Sequence, residues 1–182
     1  IRGLLMIIES TKFPGLLIIK SKNYKDKRGL LREVLIEKII KKSFKFHLMS
    51  ISKKNVLRGL HFQLHKPQGK FVSVIKGKIF DVSVDLRKKS KTFCKFFSIE
   101  LSDKNCKSIY IPPGFAHGFV TLEKENIICY SCTEYRSKKT EKGLFWKDKD
   151  LNIKWPINNP IVTRKDKKWL VISTSGKHML LI

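Results

Sequence analysis

No apolar run in the chain approaches the roughly 20 residues that a membrane-spanning helix needs, so a helical membrane protein is excluded at the level of sequence. The opening Ile1-Arg2-Gly3-Leu4-Leu5-Met6-Ile7-Ile8 is apolar but too short to hold the charged and apolar regions of a signal peptide. Met6 reads as a natural start, with residues 1–5 an upstream remnant, and a cytoplasmic location is the expectation. Cysteine is sparse. Cys94, Cys106, Cys129 and Cys132 do not form a disulfide framework, and 182 residues can bury a core without one. No Pro/Gly-rich linker, repeat or low-complexity tract divides the sequence, so one domain over residues 1–182 is expected.

Acidic residues are scarce as well: 15 Asp and Glu stand against 39 Lys and Arg, a formal net charge of +24. Nucleic-acid binders concentrate positive charge on one face and favour Arg for its planar fork. Here only 7 of the basic residues are Arg, and the lysines are scattered from Lys12 to Lys177 in runs no longer than Lys41-Lys42 or Lys88-Lys89. That distribution disfavours nucleic acid as the partner, while the charge still attracts anionic ligands. Cys129-x-x-Cys132 lacks the second pair of a zinc site. Its flanks read as a strand, on which residues three apart point to opposite faces.

Against these absences stand 42% hydrophobic residues, 12 of them Phe, which call for a globular core. They fall in short β-rich runs: Leu16–Lys20, Lys45–Ile51, Val56–Gln63, Phe71–Ile75, Ile79–Leu86, Phe93–Leu101, Ser108–Ile111, Phe115–Leu122 and Ile127–Tyr135. Phe80-Asp81-Val82-Ser83-Val84-Asp85-Leu86 alternates an apolar face with one of Asp and Ser. Lys76-Gly77-Lys78, Ser102-Asp103-Lys104-Asn105 and Pro112-Pro113-Gly114 are turn signals, and Leu35–Lys42 reads as a short helix. Many short strands at regular spacing predict an all-β sandwich or barrel, and a jelly roll suits this length.

Three stretches hold chemistry-bearing residues: Val56–Gln63 followed by Gln68-Gly69-Lys70, Ile111–Phe119, and the apolar run around Tyr130. On a strand Gly59, His61 and Gln63 share a face, which leaves room for a ligand beside the imidazole. A His, a Lys and a Tyr facing one cavity supply a base, an electrophile and an acid, a set that suits proton abstraction next to a carbonyl. Each also has a plainer reading, as a hydrogen-bonded strand histidine or a packed tyrosine. Pro113-Gly114-x-x-His117 matches half of a metal-cupin signature, with His61 and His65 as further candidate ligands. The other half is lacking, because His61 and His65 are four apart and no glutamate follows them before Glu100.

Taken together, these blocks resemble the dTDP-4-dehydrorhamnose 3,5-epimerases. The resemblance lies in Asp26-Lys27-Arg28-Gly29, Arg58-Gly59-Leu60-His61-Phe62-Gln63, Phe80–Arg87, Pro112–Phe119, Ile153-Lys154-Trp155-Pro156 and Thr163-Arg164-Lys165-Asp166, in family order from about Ile7 to Asp166. It implies a cupin-type jelly roll, a homodimer, and an isomerase that uses no metal and no cofactor. By position it implies His61 as general base, Asp166 orienting its imidazole, Lys70 stabilising the enolate oxygen at C4, and Tyr130 as the acid on the opposite face. Arg28 and Arg58 match diphosphate-binding positions, and Glu33, His117, Glu141 and Lys165 match other contacts to a nucleoside-diphosphate 4-keto-6-deoxy sugar. A relative that inverts one carbon or isomerises the keto group, a metal-dependent cupin and a basic nucleic-acid-binding module are the competing readings.

The chain also departs from that family. Its loop between His61 and Lys70 is one residue shorter. The family's Gln-x-Asn falls on Phe46 and Leu48, and Arg136 stands where a Tyr stacks on thymine. The departures gather on the nucleotide side, so the reaction type is better supported than the nucleotide.

Overall fold

The computed structural model describes residues 6–169 and Val171, so the reading of residues 1–5 as a remnant lies outside the described residues. The first strands are β1 (Ile7–Ser10), β2 (Leu17–Lys20), β3 (Tyr24–Asp26), β4 (Gly29–Leu31), β5 (Phe46–Lys53), β6 (Leu57–Gln63) and β7 (Lys70–Lys76). After them come β8 (Lys78–Asp85), β9 (Phe96–Ser102), β10 (Lys107–Ile111), β11 (Phe115–Thr121), β12 (Glu125–Cys132) and β13 (Glu141–Gly143). Nine of them fall on the nine β-rich runs of the sequence. The other four, β1, β3, β4 and β13, span only three or four residues, too short to show a period.

A six-stranded sheet, β1-β2-β10-β7-β12-β5, packs on a five-stranded sheet, β13-β6-β11-β8-β9, and β3 and β4 form a separate hairpin. All pairings within the sheets are antiparallel. Alternate residues turn inward, so Val72 and Val74, Ile109 and Ile111, and Ile128 from one sheet meet Ile79, Phe115 and Phe119 from the other. Each is almost fully buried, contributing about 1.5–3 kcal/mol as a side chain removed from water. This is the expected jelly roll.

β8 departs from a simple inside–outside alternation. Its apolar face packs outward, where Val82 and Val84 are covered by Leu144, Leu151, Ile153 and Trp155 of the irregular C-terminal segment. Asp81, Ser83 and Asp85 on the other face are also fully buried. The polar face is therefore interior, and its carboxylates are held by His117 and by Arg87, Ser90 and Thr92.

The helix is α1 (Glu37–Ile40), shorter than the expected Leu35–Lys42 because Lys41 turns left-handed at φ 55° and stops it. It buries Ile40, with Val34, Leu35 and Phe44, on Ile19, Phe71 and Tyr110 of the six-stranded sheet. Among the described residues no helix is long and apolar enough to cross a membrane.

Candidate active site

Between the two sheets lies a cavity of about 350 Å³. The six-stranded sheet lends it Phe46, Leu48 and Ser50 of β5, Lys70 of β7, and Tyr130 and Cys132 of β12, each set at the two-residue period of a strand. The five-stranded sheet lends Arg58 and His61 of β6, His117 of β11 and Glu141 of β13. The C-terminal segment adds Thr163, Lys165 and Asp166. It reaches the cavity because Ile161 bridges to Val56 at the start of β6, exchanging hydrogen bonds with Asn55 and Leu57.

Arg58 and His61 are three apart, and a regular strand would send them to opposite faces. A bulge brings them together: His117 pairs with His61 and Phe119 with Arg58, so three steps on β6 match two on β11. Gly59 and Gly118 allow it. A Cβ on Gly59 would lie 2.5 Å from the Gly118 Cα, and one on Gly118 would lie 2.6 Å from the Arg58 carbonyl oxygen. The expectation that Gly59 leaves space for a ligand is thereby corrected, since the β11 backbone fills that space.

His61 Nε2 lies 2.6 Å from Asp166 Oδ1. A carboxylate only accepts, so Nε2 carries the hydrogen and Nδ1 is left with the lone pair in the neutral ring. Asp166 is buried, which alone would raise its pKa, but hydrogen bonds from His61 and Trp169 hold it below the ordinary range. The carboxylate is therefore charged and keeps the imidazole in one tautomer.

Tyr130 faces this pair from the opposite sheet. Burial pushes its phenol well above the ordinary tyrosine range, so it stays protonated and able to donate; its oxygen is 3.0 Å from Ser50 Oγ. Burial pushes the Lys70 ammonium down, and Cys132, Glu141 and Asp81 offset this only in part. Among the described residues Lys70 makes no ion pair, which leaves its charge for a ligand.

The remaining candidates are held by partners. His117 Nε2 is 2.7 Å from Asp81 Oδ2. Glu141 bridges Arg136 and Lys165 at 2.9 and 2.7 Å, and these two bonds outweigh its burial and lower its pKa. Arg58 reaches Ser52. Phe46 stacks on Tyr135 with centroids 6.1 Å apart and planes at 15°, while Leu48 lines the cavity beside it. Arg28 and Glu33 are not in the cavity. Arg28 stands on the β3–β4 hairpin, paired with Asp26, and Glu33 follows that hairpin. His65 is exposed, and among the described residues no three His, Cys, Asp or Glu gather as metal ligands. Cys129 and Cys132 are both free thiols.

A family model described as dTDP-4-dehydrorhamnose 3,5-epimerase matches residues 10–174. The chain belongs to the dTDP-4-dehydrorhamnose 3,5-epimerase family. The enzyme of that name from Methanothermobacter thermautotrophicus is 43% identical over 167 residues, covering 87% of this chain and 90% of that protein. The crystal structure of the Legionella pneumophila 3,5-epimerase with dTDP-4-keto-L-rhamnose superposes with a TM-score of 0.87 at 37% identity, covering 92% of this chain and 93% of that one. The Bacillus anthracis enzyme with TDP and PPi bound gives 0.88 at 36%, covering 92% and 100%. Membership makes the chain an isomerase with a cupin-type jelly roll.

Reasoning from sequence assigned no site role to Ser50, Thr163 or Trp169. Ser50 continues the Phe46, Leu48 period and was within reach of that argument. Thr163 and Trp169 sit on irregular backbone, where no period places them.

Proposed function

We propose that this protein inverts C3 and C5 of dTDP-4-dehydro-6-deoxy-D-glucose to give dTDP-4-dehydro-L-rhamnose, with His61 as base and Tyr130 as acid. The observation that carries the reading is that a carboxylate-bound histidine and a buried, protonated tyrosine face one cavity from opposite sheets. Carbons 3 and 5 both flank the C4 ketone. His61 Nδ1 takes the proton from one of them, and the electron pair becomes an enolate whose oxygen charge Lys70 balances. Tyr130 then protonates the carbon from the other face, which inverts it. Solvent returns the two side chains to their starting states, and the same pair serves the second carbon after the sugar shifts. Arg58 binds the diphosphate, with His117, Glu141 and Lys165 positioning the rest of the substrate.

Incubation with dTDP-4-dehydro-6-deoxy-D-glucose in deuterated water tests this reading. Wild type should carry deuterium at both C3 and C5. His61→Ala should abolish exchange, and Tyr130→Phe should block inversion while leaving exchange at one carbon. Wild-type exchange in His61→Ala would overturn the base assignment. Deuterium at a single carbon in the wild-type product would favour a one-centre epimerase.

We infer further that the working unit is a homodimer. Arg28 is among the most exposed side chains on the β3–β4 hairpin, which also exposes Leu30 and Leu31. If Arg28 and Glu33 touch substrate, a second copy must bring them. Mixing inactive His61→Ala with weakened Arg28→Ala should then restore activity, because mixed dimers hold one intact site. No gain on mixing would reject the shared site.

A further inference from the structure

We propose that Trp169 is a positioning residue for the reaction, its indole N–H and ring holding Asp166 and His61 in their working alignment. The proposal rests on His61 acting as the base.

Three contacts fix the indole. Its Nε1–H donates to Asp166 Oδ1 at 3.0 Å, the same oxygen that accepts from His61 at 2.6 Å. Its ring stands edge-on to the imidazole, with centroids 6.0 Å apart and planes at 70°. It also lies over Gly143, where a Cβ would come within 2.6 Å of three indole atoms. Gly143 is the cross-strand partner of His61, so the missing side chain opens the seat beside the base that the indole occupies. Lys165 Nζ, 5.0 Å from the ring centroid, covers it.

The consequence is electrostatic as well as steric. A carboxylate oxygen shared by two donors has less of its charge available to each. The indole N–H therefore weakens the pull that Asp166 exerts on an imidazolium, and it favours the free base needed at the start of each turnover. The ring also fixes the χ angles of Asp166, and hence where Nδ1 points.

Other charged groups face His61 too. Arg58 is on its own strand, His117 with Asp81 lies across β11 and β8, and Glu141 with Lys165 lies beyond β13. Lys70 and Tyr130 face it from the other sheet. Among the described residues only Asp166 and Trp169 form this shared-oxygen arrangement with it.

Trp169→Phe separates the two roles, because it keeps the ring and deletes the N–H. Its expected result is an upward move in the acidic limb of kcat/KM, as Asp166 regains the charge it shared with the indole. The His61 ring titration followed by NMR should move by the same amount, while KM stays unchanged. Trp169→Ala should show that shift together with a several-fold loss of kcat. If Trp169→Phe fails to fold, Gly143→Ala displaces the indole from its seat and should show the same NMR shift. Limb and titration curves that superpose on wild type would overturn the proposal and reduce Trp169 to packing. The NMR titration needs no turnover, so a failure of the base assignment, seen as exchange by His61→Ala, is read separately.

Discussion

Gly59 on β6 and Gly118 on β11 press against one another so closely that neither has room for a Cβ. This contact lets Arg58 and His61 share a cavity across the bulge. Gly118→Ala should cost on the order of 2–4 kcal/mol, since the clash is with backbone that cannot rotate away. It should also raise KM and lower kcat together. Thermal denaturation and steady-state kinetics check both, and a variant with wild-type Tm and kinetics would show that the strands can separate freely.

Lys70 should trade stability for activity. Its folded pKa is lowered by burial, so the unfolded chain holds its proton more tightly. The sign of that difference makes the charged lysine destabilising below its folded pKa, with the penalty removed as pH rises toward the ordinary lysine value. Lys70→Met should therefore raise Tm at pH 7, with a gain that shrinks as pH rises toward about 10. The same variant should lose kcat by roughly 10²–10³-fold, as the enolate loses its counter-charge. A lower Tm at pH 7 would show that its surroundings stabilise the ammonium.

Asp85 works in the opposite direction. Burial would raise its pKa, but bonds from Arg87, Ser90 and Thr92 outweigh that and bring it from 3.8 to about 2. A depressed carboxyl stabilises the fold above its unfolded pKa, and that contribution is lost as pH falls through about 2. Asp85→Asn should cost about 2 kcal/mol at pH 7, with the gap to wild type closing between about pH 4 and 2. Urea titrations across that range measure it, and a pH-independent gap would place the loss in geometry rather than charge.

The nucleotide end of the cavity should discriminate weakly. Phe46 and Leu48 offer no hydrogen bond to a base edge, and Glu141 holds Arg136 away from a free stacking role. Phosphate contacts common to all nucleotides then carry most of the binding, so dTDP and UDP should compete within about tenfold of one another. Competition binding with dTDP, UDP and GDP decides it. A strong preference for dTDP would mean that other residues, such as the Phe46–Tyr135 stack, read the base.

Much of this protein was legible in its residues taken in order. Short β-rich runs marked nine strands, and the period of two put Tyr130 and Cys132 on one inward face. Alternation is a local rule, set by the pleat of a single strand. The recognisable blocks around His61, His117 and Asp166 carried the family and its reaction type.

Tertiary structure alone decided how those residues meet. Asp166 is 105 residues from His61, and the Ile161 bridge to Val56 carries it there over irregular backbone that has no period to read. The bulge that turns Arg58 toward His61 depends on the close approach of two glycines from different strands. The buried polar face of β8 depends on His117 of β11 arriving to pair Asp81. In each case the cause is a contact between distant segments, formed only when the sheets close and burial makes an unpaired charge too costly to leave.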